Sequence, residues 1–460
     1  MIDFENYMSP GRRGHLVGIG GVSMSSLAEV LVDMGILISG SDNNESLNVC
    51  NLRKHGIAIS IGHDAANITD DVEFVVRTAA VHDDNPEIAE AIRKGIPVFE
   101  HTQAWGAISK DYNNALCVAG THGKTTTTSM CTHILMAAEK DPTVMIGGTL
   151  PLLNAGHRIG RGNTIVMESC EYYNSFLAFY PTIAVILNIE ADHLDFFKDL
   201  EEIKRSFRMF AAKVPEDGCI VANLDDANTM DAISGLNRKV ITFGLTDEAD
   251  VSARNVCFNG TNSSFDIYYK GRKFTEVTLH VPGIHNVKNA LAATAASICL
   301  GIRPTAVKYG LAGFNGAGRR FEFKGKFNGA DVYDDYAHHP GELKALLDTV
   351  ETLNYKRSII VFQPHTYSRT SALFDQFVEQ LKRPDVLLLA EIYAAREQNT
   401  IGISSADLAD RLENATFYPD FKELENTLQA IARPGDCIVT VGAGNVYQIG
   451  EDLLKRKQKE

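Results

Sequence analysis

The sequence is short of several features that would define its class. No apolar run approaches the ~18 uninterrupted residues that a bilayer-spanning helix needs, and the opening stretch MIDFENYMSPGRR carries no apolar core of an export signal, so neither membrane insertion nor export is expected. Eight cysteines, at 50, 117, 131, 170, 219, 257, 299 and 437, include no C-x-x-C pair, and several sit in apolar runs. A disulfide framework is thereby disfavoured, and reduced thiols in a cytoplasmic setting are expected. An excess of positive charge is missing too: 44 Lys and Arg against 58 Asp and Glu give a net charge of -14, which argues against nucleic acid as the main ligand. There is no short fixed repeat and no low-complexity segment beyond the tail KRKQKE. What remains is an ordinary globular composition, 45% hydrophobic and 22% charged, which gives no reason to expect a large disordered segment. A chain of 460 residues exceeds one hydrophobic core and suggests roughly three domains of about 150 residues.

Three times a β-branched run ends in a turn of glycine or small residues and passes into a helical pattern, the mark of α/β units. The first unit contains HLVGIG (15–20), a helix to about Met34, ILISGSD (36–42), AISIG (58–62), FVVRTAA (74–80) and PVFE (97–100), an alternation that predicts a parallel sheet. The second contains ALCVAG (115–120), TIVMES (164–169), TIAVILNIE (182–190) and the helix NVKNALAATAASICL (286–300). Within it, FDIYYKGRKFTEVTLHV alternates around a Lys-Gly turn and reads as a β-hairpin. The third contains RSIIVFQPH (357–365), DVLLLAEIY (385–393) and CIVTVGAG (437–444). Polar or glycine-rich segments place the boundaries near 108 and 324, giving domains 1–107, 108–323 and 324–460.

The most informative segment is Gly120-Thr121-His122-Gly123-Lys124-Thr125-Thr126, between a buried strand and a helix. Backbone N–H groups at a helix start, reinforced by the helix dipole, cradle anions. Lys124 then serves terminal phosphates, and the Thr125 hydroxyl suits Mg²⁺. The common phosphate loop has glycine six residues before the lysine; Val118 stands there, so this is a shorter variant. Glu168 ends one strand, and Asp192 and His193 follow another. In a parallel sheet these ends open on the edge that carries the loop, so Glu168 and His193 are expected to share a metal site with Thr125.

A second turn, Gly18-Ile19-Gly20-Gly21-Val22-Ser23, also joins strand to helix, with Ser41 and Asp42 ending the next strand. It reads as a diphosphate site with an acid near a ribose, and the residues alone leave a dinucleotide and a UDP-sugar open. Paired arginines in Gly318-Arg319-Arg320-Phe321-Glu322 suit phosphate or carboxylate. His, Tyr and Arg concentrate in Asp334-Asp335-Tyr336-Ala337-His338-His339 and His365-Thr366-Tyr367-Ser368-Arg369. Adjacent histidines without nearby cysteine lack the spacing of a zinc site.

In order along the chain, HLVGIGGVSMSSLAEVL, GSD, DNPEI, GTHGKTTTT, ESCEYYNSF, NIEADHLD, GIHNVKNALAA, GAGRRFE, YDDYAHHP, FQPHTYSRT and GAGNVY resemble the Mur ligase family, and within it the members that add L-alanine. The resemblance implies a three-domain α/β architecture: Rossmann-like N- and C-terminal domains around a central P-loop-type ATPase domain. It implies ATP-dependent ligation of L-alanine to the lactyl carboxylate of UDP-N-acetylmuramate through an acyl phosphate, with two Mg²⁺ ions, in a monomer or weak homodimer. It assigns Lys124 to the γ-phosphate, Thr125, Glu168 and His193 to the metals, and His285, Asn286 and Asn289 to adenine. Arg320 would contact ATP from the domain junction and Asp335 its ribose. Tyr336, His338 and Arg369 would position the amino acid, and Gly18, Gly20, Gly21, Ser41 and Asp42 the UDP-sugar. Arg208 stands where many members carry a carbamoylated lysine, a modification an arginine cannot form and the alanine-adding members do not need. Thr366 stands where some of those members have arginine, and Thr78-Ala79 where many relatives have Ser-Ser.

Overall fold

The computed structural model describes residues 3–78, 81–153, 155–395 and 397–457. Its strands form three sheets laid out successively along the chain. In the first, the order is Ala58–Ile61, Leu37–Asp42, Arg13–Val17, Phe74–Arg77, Val98–Glu100, every neighbour parallel as the strand-helix alternation predicts. Local chemistry sets the intervening helices. Ser46 caps Leu47–Lys54 by accepting from the Val49 N–H, and Asn85 caps Pro86–Arg93, where proline at the helix start costs no hydrogen bond. The strand expected at 74–80 ends at Arg77; Ala79 and Ala80 lie outside the described residues.

The second sheet has ten strands, in the order Arg272–Leu279, Asn262–Tyr269, Val251–Asn259, Val240–Gly244, Cys219–Asn223, Ile183–Ile186, Asn114–Ala119, Thr164–Glu168, Thr143–Leu150, Ala155–Arg158. The strands from Val251–Asn259 to Thr143–Leu150 pair in parallel, and antiparallel strands extend both edges. The expected hairpin turns at Lys270 and Gly271, both at positive φ, the geometry of a two-residue hairpin loop. The other edge, Thr143–Leu150 with Ala155–Arg158, escaped the sequence reading. Its glycines 147, 148 and 156 blur the alternation that marks a strand. The third sheet runs Glu322–Phe327, Ala330–Asp335, Asp436–Val441, Arg357–Phe362, Val386–Ala390, Ala415–Tyr418, antiparallel only at its first pair.

One buried apolar cluster runs without interruption from the first unit into the second, from Phe4, Leu16 and Phe74 through Trp105 to Phe176, Phe207 and Phe210. The third unit buries its apolar side chains in two clusters of its own. Helix His101–Ser109 bridges the first two units, and its Gly106 abuts the Ala178 carbonyl so closely that an added Cβ would lie 2.1 Å from that oxygen. Gly106→Ala must push the helix off its partner. The expected cost is about 1–3 kcal/mol of stability, read as a lowered midpoint in thermal unfolding.

Candidate nucleotide and ligation site

The site is built on the turn between strand Asn114–Ala119 and helix Lys124–Ala137. Gly123 enters the helix at φ 85°, and a Cβ there would meet the Asn289 side chain at 2.6 Å, so glycine is required by both backbone and space. The loop is clasped by the end of the neighbouring strand. Thr121 N–H donates to the Asn188 carbonyl (3.0 Å), His122 N–H to Asn188 Oδ1 (2.8 Å), and Asn188 Nδ2 returns a bond to the His122 carbonyl (3.1 Å). Glu190 N–H completes the clasp on Thr121 Oγ1 (2.9 Å). Lys124 Nζ donates to the carbonyls of Gly120 (2.5 Å) and Thr121 (3.1 Å) and to Glu171 (3.0 Å). Burial alone would lower its pKa, but the Glu171 charge raises it, so the group is a permanent ammonium.

The strand-end groups divide into two sets. Thr125 Oγ1 donates to Glu168 Oε1 (3.0 Å), and Gly147 N–H from the unforeseen edge strand holds Oε2 (2.8 Å). His193 is not hydrogen-bonded to Glu168: its Nε2 lies 4.0 Å from Glu171 and 3.8 Å from Asp192, and its ring stacks on Tyr172 at 4.2 Å. Burial lowers the His193 pKa, favouring the neutral imidazole that a metal ligand needs. Oxygen donors from Thr125 and Glu168 are the hard ligands that suit Mg²⁺.

Beside the loop, a cavity between the second and third units is lined by His122, Gly123, Thr125, Thr126, His285, Asn286, Asn289, Arg320 and Asp335, nine residues from the sequence-based nucleotide set. Burial pushes Asp335 up to about 6 and His285 down to about 4. The paired arginines separate in role. Both lie over the Tyr336 ring, but Arg319 is spent on Asp334 and on the Gly442 and Gly444 carbonyls, whereas Arg320 lines the cavity. A smaller cavity is lined by Asp192, His193, Thr366, Ser368 and Arg369. There Arg369 Nε bonds Asp192 Oδ1 across the units (3.1 Å) and holds that carboxyl well below its usual pKa against the opposing effect of burial. His338 faces His365 nearby, and burial lowers it to about 4. Thr366 sits at φ 66°, a conformation costly for a β-branched residue.

The first unit's turn is more self-contained than its motif suggests. Gly18 N–H bonds the Ser41 carbonyl, Gly20 N–H takes Asp42 Oδ2 (2.9 Å), and Gly21 caps helix Val22–Asp33. The Ser41 hydroxyl is buried and donates to Glu87, itself joined by His63 and Asn67, so this hydroxyl is engaged inside the unit. Arg208 turns away from the metal edge to cap the Ala232 and Ser234 carbonyls, which explains the arginine there structurally. Sequence reasoning missed Glu171, Glu190 and Glu342. Their signal was present as acids three residues after Glu168, within NIEAD, and four residues after His338.

A strand-to-helix phosphate loop, strand-end acids and a cavity closed by a separate α/β unit define a nucleotide-using α/β protein. Comparison makes this specific: the chain matches the models of the Mur ligase family catalytic domain over residues 13–113, the Mur ligase middle domain over 118–297, and the Mur ligase glutamate ligase domain over 319–444. It is 46% identical to a UDP-N-acetylmuramate–L-alanine ligase of Agathobacter rectalis, covering 96% of this chain and 97% of that one. It is 44% identical to one of Lachnospira eligens, covering 99% of each. The crystal structure of UDP-N-acetylmuramate-alanine ligase from Thermotoga maritima superposes with a TM-score of 0.82 at 28% identity, covering 97% of this chain and 99% of that one. The chain belongs to the Mur ligase family.

His122 lies between carboxylates of the second and third units. Its Nε2 lies 3.4 Å from Glu190 and its Nδ1 3.4 Å from Glu342 of the third unit, with the His339 ring at 4.7 Å. Burial would lower its pKa, but the two carboxylates push it from 6.5 up to about 10. A raised histidine pKa contributes stability that is complete below pH 6.5 and lost as pH climbs through about 10. The thermal midpoint of the wild type should therefore fall more steeply between these pH values than that of His122→Gln. Parallel decline of the two proteins would assign the loss to another group.

Proposed function

We propose that this chain joins L-alanine to the lactyl carboxylate of UDP-N-acetylmuramate, converting ATP to ADP and phosphate, as a cytoplasmic step in peptidoglycan precursor synthesis. The observation that carries the reading is that one segment serves all three places: Asn188 and Glu190 grip the Lys124 loop and line the cavity with Arg320, and Asp192 and His193 just after them line the pocket with Arg369. Relatives of that name along nearly the whole chain support it. No helix among the described residues is long and apolar enough to cross a membrane. In this reading residues 1–107 hold the UDP-sugar, 108–323 ATP, and 324–460 the amino acid.

The lactyl carboxylate attacks the γ-phosphorus in line as the bond to the bridging oxygen breaks and ADP leaves, giving an acyl phosphate; alanine's neutral amine then attacks the carbonyl carbon, phosphate leaves, and the new amide nitrogen gives up a proton to solvent. Lys124 and Arg320 offset the crowded anionic charge, and the helix N-terminus at Gly123 supplies N–H donors. Thr125 and Glu168 would hold one Mg²⁺, and Glu168 and His193 a second; when bound, these ions neutralise phosphate charge. Arg369 exchanges Asp192 for the amino acid's carboxylate, so that alignment replaces chance encounter; Tyr336 and His338, packed edge to face at 5.5 Å, lie outside the lining of that pocket and would act on the amino acid from beside it. Asn286 and Asn289, buried beside His285, face the adenine end of the cavity.

Phosphate release should require ATP, Mg²⁺, UDP-N-acetylmuramate and L-alanine together. Equal turnover with a tripeptide, or none with alanine, would overturn the assignment. Lys124→Ala should lower turnover by about 10²–10³-fold, the scale of a lost charge-stabilising donor, while UDP-sugar affinity in calorimetry stays close to wild type. Loss of UDP-sugar binding as well would join the two sites that this reading separates.

A further inference from the structure

Lys124 carries three N–H bonds, and all three are already spoken for: Gly120 and Thr121 carbonyls take two, and Glu171 takes the third. The ammonium that should meet a phosphate is folded back onto its own loop. The two carbonyls belong to a turn pinned by Asn188 and cannot yield. Glu171 is a side chain and can. Its carboxylate is almost fully buried, 3% exposed, with Oε2 3.0 Å from Lys124 and Oε1 4.0 Å from His193 Nε2.

The backbone around Glu171 is shaped to hold it there. Tyr173 and Asn174 follow it at φ 53° and 57°, consecutive left-handed residues. Asn174 N–H returns to the Glu171 carbonyl (2.8 Å), the Asn174 side chain is anchored by Ser206, and Tyr172 lies flat on His193. Two left-handed residues other than glycine cost the fold free energy, which is expected where a side chain must be aimed.

We propose that Glu171 is a positioning residue that restrains Lys124 and is displaced from it by the polyphosphate of the nucleotide. The carboxylate takes the third N–H of Lys124 and places a negative charge beside the loop that would receive phosphate. Arrival of a terminal phosphate exchanges one anion for another on the same ammonium. The released carboxylate stays beside His193, so phosphate occupancy is felt at the imidazole on the opposite side. This rests on the nucleotide reading above and adds to it a group outside the expected ligand set.

The test is calorimetric titration of the full-length protein and of Glu171→Gln with Mg-ATP, Mg-ADP and adenosine. Glu171→Gln should bind ATP and ADP about tenfold more tightly, the scale of one charge-assisted hydrogen bond no longer to be broken. Adenosine, which has no phosphate, should bind both proteins equally and reports that the cavity is intact. Glu171→Asp, which keeps the charge on a shorter arm, should fall between them. In turnover, the KM for ATP should drop in Glu171→Gln with a smaller change in kcat. Unchanged ATP affinity, weaker ATP affinity, or a parallel change for adenosine and ATP would each overturn the restraint. Failure of the wild type to bind any of the three would instead overturn the nucleotide reading, and this inference with it.

Discussion

The reactive part of the molecule depends on how Asn188 grips the phosphate loop. A loop of this kind must present backbone N–H groups in a fixed array, yet its own residues include glycines that would otherwise let it wander. Four hydrogen bonds from Asn188 and Glu190, just past strand Ile183–Ile186, remove that freedom. The same segment runs on to Asp192 and His193, so the loop and the strand-end groups share a single rigid reference. Displacing that segment would misplace Lys124, His122 and His193 together. Such shared support is what preorganised charge requires, since its value lies in not having to move when the reaction begins.

Charge around this frame is arranged in alternation. Lys124 meets Glu171, His122 lies between Glu190 and Glu342, and Arg369 meets Asp192. Each of these cations is met by a carboxylate of the chain. Pairing of this kind avoids the high cost of a buried charge without a partner.

Much of this was legible beforehand, for definite reasons. Parallel strands buried on both faces announce themselves as β-branched runs, and the turns after them carry glycine, so the three sheets and the phosphate loop could be read directly. Lys270-Gly271 turned where its sequence said it would. The hairpin at 143–158 was silent because its glycines carry no side-chain alternation, although Gly147 supplies a ligand to Glu168. Glu171 was invisible for another reason: a carboxylate near a strand end looks the same whether it caps a helix or holds a lysine. Arg319 and Arg320 were equivalent on paper, and it takes Asp334 with the carbonyls of Gly442 and Gly444, more than a hundred residues away, to distinguish them. Ser41 was read as open to ligand because nothing local marks Glu87 as its partner.

The first two units share one apolar cluster, whereas the third keeps its own and meets the centre through His122, Asp192 and Arg369. These two joints answer to different variables. Apolar contact strengthens with salting-out ions and weakens with denaturants, whereas pairs as buried as Asp192 and Arg369 are little screened and depend instead on their charge state. Attachment of the third unit therefore follows the protonation of His122, Glu342 and Asp192, whereas the seam between the first two units follows how strongly the solvent favours apolar burial.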